Sequence, residues 1–195
     1  MKSCMLAYML LGGIIMSTPL KEMMIFDFKN PDSCKVWQAV NDTVMGGVSN
    51  SSLQPGGAGT ALFKGMVSLK NNGGFCTASS RDNKKYDLSS FKGIGVRLKG
   101  DGKKYMLTLK TDDKFNGYAY QFPFVTQKDQ WMTVTVPFKD FFARFRGEPV
   151  PNAPPVKTTD ITSFGFLIAD KQEGPFVLEI EWIKAVKEAG GTPQK

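Results

Sequence analysis

Asn41 and Asp42 stand just ahead of a glycine pair in VNDTVMGGVSN, residues 40–50. A carboxylate beside paired glycines suits three chemistries: a phosphate cradle, a cation loop, or a turn that feeds a strand. A phosphate loop needs a Lys followed by Ser or Thr at the mouth of a helix, and neither is here. An EF-hand loop needs acidic residues at alternating positions closed by a Glu, which is also missing. The residues themselves favour the turn, with Gly46-Gly47 supplying a positive φ or a close backbone approach. A second glycine pair lies in LKNNGGFCTASSR, residues 69–81, which ends on a cation. Asn41, Asp42 and Arg81 are thus candidate ligand-binding residues on loops. The alternative is that Asx turns and an Asp42–Arg81 pair only hold the loops together. Calcium held by Asp42 and loop carbonyls is the metal chemistry the composition leaves open, though no full ligand set is visible.

The remaining inventory excludes more than it offers. The chain has no histidine, which removes Ser-His-Asp and Cys-His nucleophile systems and every His-containing zinc site. Cys4, Cys34 and Cys76 are too few for a zinc site made of cysteine alone. Asp112 and Asp113 are adjacent and point apart on an extended chain, the wrong arrangement for a paired acid and base. The expectation is a protein that is not an enzyme and carries no cofactor. Lys and Arg number 25 against 18 Asp and Glu, but they are spread in ones and twos without long runs. That pattern reads as a solvated basic surface and argues against a nucleic-acid partner.

The first residues, MKSCMLAYMLLGGIIMSTPLKE, place one Lys before an apolar run from Cys4 to Met16, then Ser17, Thr18 and Pro19. Residues 1–19 read as a signal peptide, with an apolar run too short to span a membrane. Periplasmic or other exported location is the expectation; translation from Met23 or Met24 would instead leave the protein in the cytoplasm. In an oxidising compartment Cys34 and Cys76 could bridge, closing about 40 residues and contributing ~3–4 kcal/mol. The alternative is two buried thiols packed as small hydrophobes.

Short alternating runs fill the rest. IGVRLKG (94–100) puts Ile94, Val96 and Leu98 on one face, and KYMLTLK (104–110) does the same with Tyr105, Leu107 and Leu109. Gly100-Asp101-Gly102-Lys103 between them predicts a hairpin with a type I′ turn. Further strands are predicted in 24–28, 48–53, 61–69, 74–80, 118–124, 131–138, 164–169 and 176–183, with Pro123 marking an edge or a bulge. A short helix is expected only at Lys139 to Arg146. About ten strands without intervening helices predict an all-β sandwich or jelly roll. Residues 20–186 form one domain, EPVPNAPPVKTTD (148–160) is a long loop within it, and 187–195 form a disordered tail.

Period 2 also selects a ligand face. Arg97 and Lys99, Thr108 and Lys110, and Gln121 point away from the core strips, while Tyr118, Tyr120 and Trp131 fit either face. Aromatic rings with Arg97, Lys110 and Gln121 would suit a glycan, the rings stacking on C–H faces and the polar arms meeting hydroxyls. Against this stands a core role for Trp131 and the tyrosines and a solvated role for the charges. FFARFRG (141–147) could touch a protein partner or anionic lipid, or simply cap the sandwich.

Several blocks together carry a resemblance: Trp37 and VNDTVMGGVS, FKGMVSLKNNGGF, YDLSSFKGIGVRLKGDGKKYMLTLKTD, WMTVTVPFKDFFARFRG and FGFLIADKQEGPFVLEIEWIKA. In this order, over residues 24 to 186, the chain resembles the complex I intermediate-associated protein 30 family. The resemblance implies a galactose-binding-like jelly roll and a non-catalytic assembly role, chaperone-like, toward protein partners of respiratory complex I. A carbohydrate-binding module of the cell envelope is the alternative. The leader, with no Arg and no amphipathic pattern, does not resemble a mitochondrial transit peptide.

Overall fold

A computed structural model describes residues 22–112 and 117–188. The segments read as signal peptide (1–19) and most of the tail (189–195) lie outside these residues, as does Asp113.

Two antiparallel sheets face each other. The first contains β3 (Asn50–Pro55), β4 (Ala61–Val67), β13 (Gly174–Val186), β6 (Gly93–Gly100) and β9 (Trp131–Pro137) in that spatial order, with β1 (Met23–Asp27) also paired to β13. The second runs β11 (Glu148–Pro149), β10 (Phe142–Phe145), β8 (Ala119–Val125), β7 (Lys104–Lys110), β12 (Ser163–Ile168), β5 (Cys76–Ser80) and β2 (Trp37–Asn41). Alternation sends one face of every strand inward, as in a sandwich with a two-sided core. Ile94, Val96, Leu98, Leu178 and Ile180 meet Tyr105, Leu107, Leu109, Phe164 and Phe166 there, all essentially fully buried. At one end Phe26, Trp37, Phe164 and Phe166 interlock edge to face or stacked. Each such side chain contributes about 1.5–3 kcal/mol of burial. The result is the jelly-roll sandwich that the strand pattern predicts.

Several local expectations fail for identifiable reasons. The Asp101-Gly102 turn does not close a hairpin: β6 and β7 belong to different sheets. Its carboxylate instead accepts from the Val177 N–H (3.0 Å), the Lys103 N–H (3.1 Å) and the Tyr105 hydroxyl (3.0 Å), which ties the crossover to β13. Residues 139–146 are not a helix. A 3₁₀ turn at Phe138–Asp140 leads into β10, which pairs with β8 and turns back into β11 through Arg146 and Gly147, both at positive φ. Backbone pairing to an open sheet edge outweighs the weak helical pattern there. Pro123 falls beyond the end of the β10–β8 pairing, which stops at Gln121.

Cys34 and Cys76 are both free. Trp37 pairs with Ser80 and Asn41 with Cys76, so Cys34, just ahead of Trp37, enters at the opposite end of β5 from Cys76. Four strand positions separate these ends, about 13 Å and beyond the reach of a disulfide. Burial pushes both thiols up, Cys76 to about 11. In the native protein neither should react with iodoacetamide at neutral pH, and both should react after denaturation without reductant; mass spectrometry reads the difference.

Candidate functional site

Two connections cross from one sheet to the other, side by side. The first joins β2 to β3, both edge strands, through a 3₁₀ turn at Asp42–Met45. The second joins β4 to β5 through a 3₁₀ turn at Lys70–Asn72. Asp42, 1% exposed, bolts them together. Its Oδ1 accepts from the Ser49 N–H (2.9 Å). Its Oδ2 accepts from the Ser49 hydroxyl and from the backbone N–H groups of Gly74 (2.6 Å) and Phe75 (3.4 Å). The Ser49 oxygen in turn accepts from the Ser68 N–H at 2.9 Å, and Asn71 Nδ2 donates to the Gly46 carbonyl at 3.2 Å. Burial by itself would raise the Asp42 pKa; the Ser49 hydroxyl and the three backbone N–H groups outweigh it and hold the carboxyl below its usual range.

The glycines make room for this carboxylate. A Cβ on Gly47 would lie 2.4 Å from Asp42 Cγ, and one on Gly73 would lie 2.5 Å from Asp42 Oδ2. Gly46 closes the first turn at φ +88°. VNDTVMGGVSN is therefore a buried latch. Both carboxylate oxygens are occupied by N–H and O–H donors, so a cation at Asp42 would face donor hydrogens, and the calcium chemistry that the composition left open is not supported here.

What the latch presents is apolar. Val44 and Met45 are 62% and 67% exposed at the tip of the first connection, with Val48 exposed beside them and Leu69 at the entry of the second. Exposed aliphatic side chains concentrated on two mutually bonded loops stand apart from singly scattered ones. Sequence reading did not select these four residues. The one available signal was a Val-Met pair inside a turn too short to bury it.

The sequence-selected residues do not form one site. Asn41 accepts a hydrogen bond from the Ser51 hydroxyl and belongs to the latch. Arg81 lies past Ser80, at the far end of β5 from Asp42, so the two do not pair. Arg97 and Trp131 sit on the outer face of the first sheet. Trp131 is 37% exposed, with Arg97 and Lys99 against its ring at 5.7 and 5.2 Å, while Lys99 is paired to Glu179 (2.7 Å) and Arg97 to Glu181 (3.8 Å). Lys110 and Gln121 are on the outer face of the second sheet, on the opposite side of the sandwich. Tyr118 and Tyr120 turn inward and meet edge to face at 5.5 Å. Tyr120 is 2% exposed, and its hydroxyl donates toward the Pro154 and Pro155 carbonyls (3.1 and 3.3 Å), pinning the long loop. Tyr120→Ala should accordingly cost about 3–5 kcal/mol in denaturant unfolding, as a core residue does.

The two facing sheets and the latched connections define a galactose-binding-like jelly roll with an apolar tip. The model of the complex I intermediate-associated protein 30 (CIA30) family matches residues 26–180. The chain belongs to that family. It is 28% identical to complex I intermediate-associated protein 30, mitochondrial, of Drosophila melanogaster over 87% of this chain and 64% of the relative. The mouse protein of the same name is also 28% identical, over 85% and 58%. An uncharacterised protein of Schizosaccharomyces pombe is 32% identical over 77% of each chain. This chain thus spans about three fifths of the fly and mouse relatives. Among solved structures, a family 11 carbohydrate-binding module of a Clostridium thermocellum cellulosomal cellulase superposes with a TM-score of 0.65 at 16% identity, over 90% of this chain and all of that one. An agarase superposes with a TM-score of 0.60 at 9% identity, over 86% of this chain and 25% of that one. At such identities the likeness is one of fold. The expectation of export is overturned: the fly and mouse relatives are named as mitochondrial proteins, not exported ones. Among the described residues no helix is long and apolar enough to cross a membrane.

Proposed function

We propose that this chain is a non-catalytic binding protein that associates with a complex I assembly intermediate through the latched tip. The observation that carries the reading is the exposure of Val44, Met45, Val48 and Leu69 on loops held by a buried carboxylate. Its partner class follows from the family, whose members are named for association with complex I intermediates. A tip pre-ordered by Asp42 loses little entropy on binding, which favours affinity. Four side chains cover less than the roughly 800 Å² per partner of a standard interface, so the tip acts as its energetic centre, with polar surface around it.

The chemistry at the tip supports binding over catalysis. Asp42 is saturated with donors, and Cys76, beneath the loops with Sγ 3.6 Å from the Asn50 carbonyl, keeps its proton at neutral pH. The test is Met45→Glu, expressed in cells whose own family member has been deleted. The variant should fold normally and fail to co-migrate with complex I subassemblies on native gels. Co-migration equal to that of the unchanged chain would refute the reading.

A further inference from the structure

One row of side chains crosses six strands on the outer face of the second sheet. Gln38, Ser79, Gly165, Thr108, Gln121 and Phe142 stand directly opposite one another in that order. Adjacent strands are about 4.8 Å apart, so the row is about 24 Å long. Four of the six, Gln38, Ser79, Thr108 and Gln121, are neutral hydrogen-bonding groups. Gln121 is only 8% exposed as a whole residue, but its amide is not among the buried polar groups left without a partner. A ligand that supplies donor and acceptor together can meet such an amide.

We infer that this row binds a neutral, linear, polyhydroxylated chain, of the oligosaccharide class. Glycine at 165 keeps the middle of the row open. A Cβ there would stand 2.6 Å from Thr108 Oγ1 and 2.9 Å from Ser79 Oγ, covering both hydroxyls. Phe142, 38% exposed at the end of the row, offers a ring for the C–H face of a sugar, and Arg144 fixes that ring from 5.3 Å. The six residues of the row are neutral, which suits a neutral polyhydroxylated ligand, while Lys110 and Arg144 flank it as hydrogen-bond donors on the same sheet. A peptide strand would add at a sheet edge and leave these side chains unused. The surface is separate from the Asp42 latch, which lies in the connections between the sheets.

Calorimetric titration of the full chain with cellohexaose, maltohexaose and chitohexaose tests the inference. At least one should bind, and Ser79→Ala with Thr108→Val, which removes two hydroxyls at nearly constant shape, should weaken it by about thirtyfold. Trp131→Ala, on the opposite sheet, and Met45→Glu, at the tip, should leave the affinity unchanged. No binding of any of the three at millimolar concentration to the folded chain would overturn the inference. So would binding that survives the double substitution and disappears in Trp131→Ala. Neither result bears on the tip, whose own test uses a different variant and partner.

Discussion

Asp42→Ala should lower stability by about 3–5 kcal/mol, because it strands three backbone N–H groups and the Ser49 hydroxyl in the interior. For a domain of this size that is a fall of roughly 10 °C in melting temperature. The effect exceeds an ordinary surface carboxylate by a wide margin: Asp32→Ala, which removes only an exposed i,i+3 ion pair with Lys35, should change stability by less than ~0.5 kcal/mol. Asp42 also sets a pH dependence of known sign. Its folded pKa is held below the unfolded value near 3.8, so its contribution is complete above that value. The contribution is lost as the pH falls from there through the folded pKa. Urea unfolding of the parent at pH 3 and pH 6 should therefore show a larger loss on acidification than the Asp42→Ala variant does (pH values of about these settings suffice).

Met45→Glu carries the second large effect, on binding and not on folding. Met45 is the most exposed of the apolar tip residues and contributes little burial in the free chain, so its melting temperature should move by no more than about 2 °C. A charge forced into the desolvated centre of an interface costs far more, and a loss of at least tenfold in affinity for the assembly intermediate is expected. Competition between the variant and the unchanged chain for the same subassemblies measures it. A matched substitution at Phe145, also exposed but in β10, at the far side of the second sheet from β2, should leave association intact.

The strand pattern made the sandwich legible because period-2 alternation is a local property: Ile94, Val96 and Leu98 need no knowledge of their partners to declare an inward face. Connections were less legible. Gly100-Asp101-Gly102 has the composition of a hairpin turn, and only the reach of Asp101 to Val177, 76 residues away in sequence, makes it a crossover between sheets. Faces of the second sheet were ambiguous at 118–124 because Tyr120 and Gln121 are both nearly buried, one under the proline-rich loop and the other on the outer floor. The latch lay in plain view as Asp42 with two glycine pairs, yet its meaning did not. Whether a carboxylate beside glycines binds a ligand or its own backbone depends on Gly74 and Phe75, more than 30 positions on. Hydrogen-bond geometry, not composition, shows that the stretch is a latch.

The tip's role is tested most directly by placing a photo-crosslinking amino acid at Met45 and, separately, at Trp131, in mitochondria that are assembling complex I. Adducts to a complex I subunit or assembly partner from position 45, with none from position 131, are the predicted result. Adducts from 131 alone, or none from 45 while the chain co-migrates with subassemblies, would contradict the account.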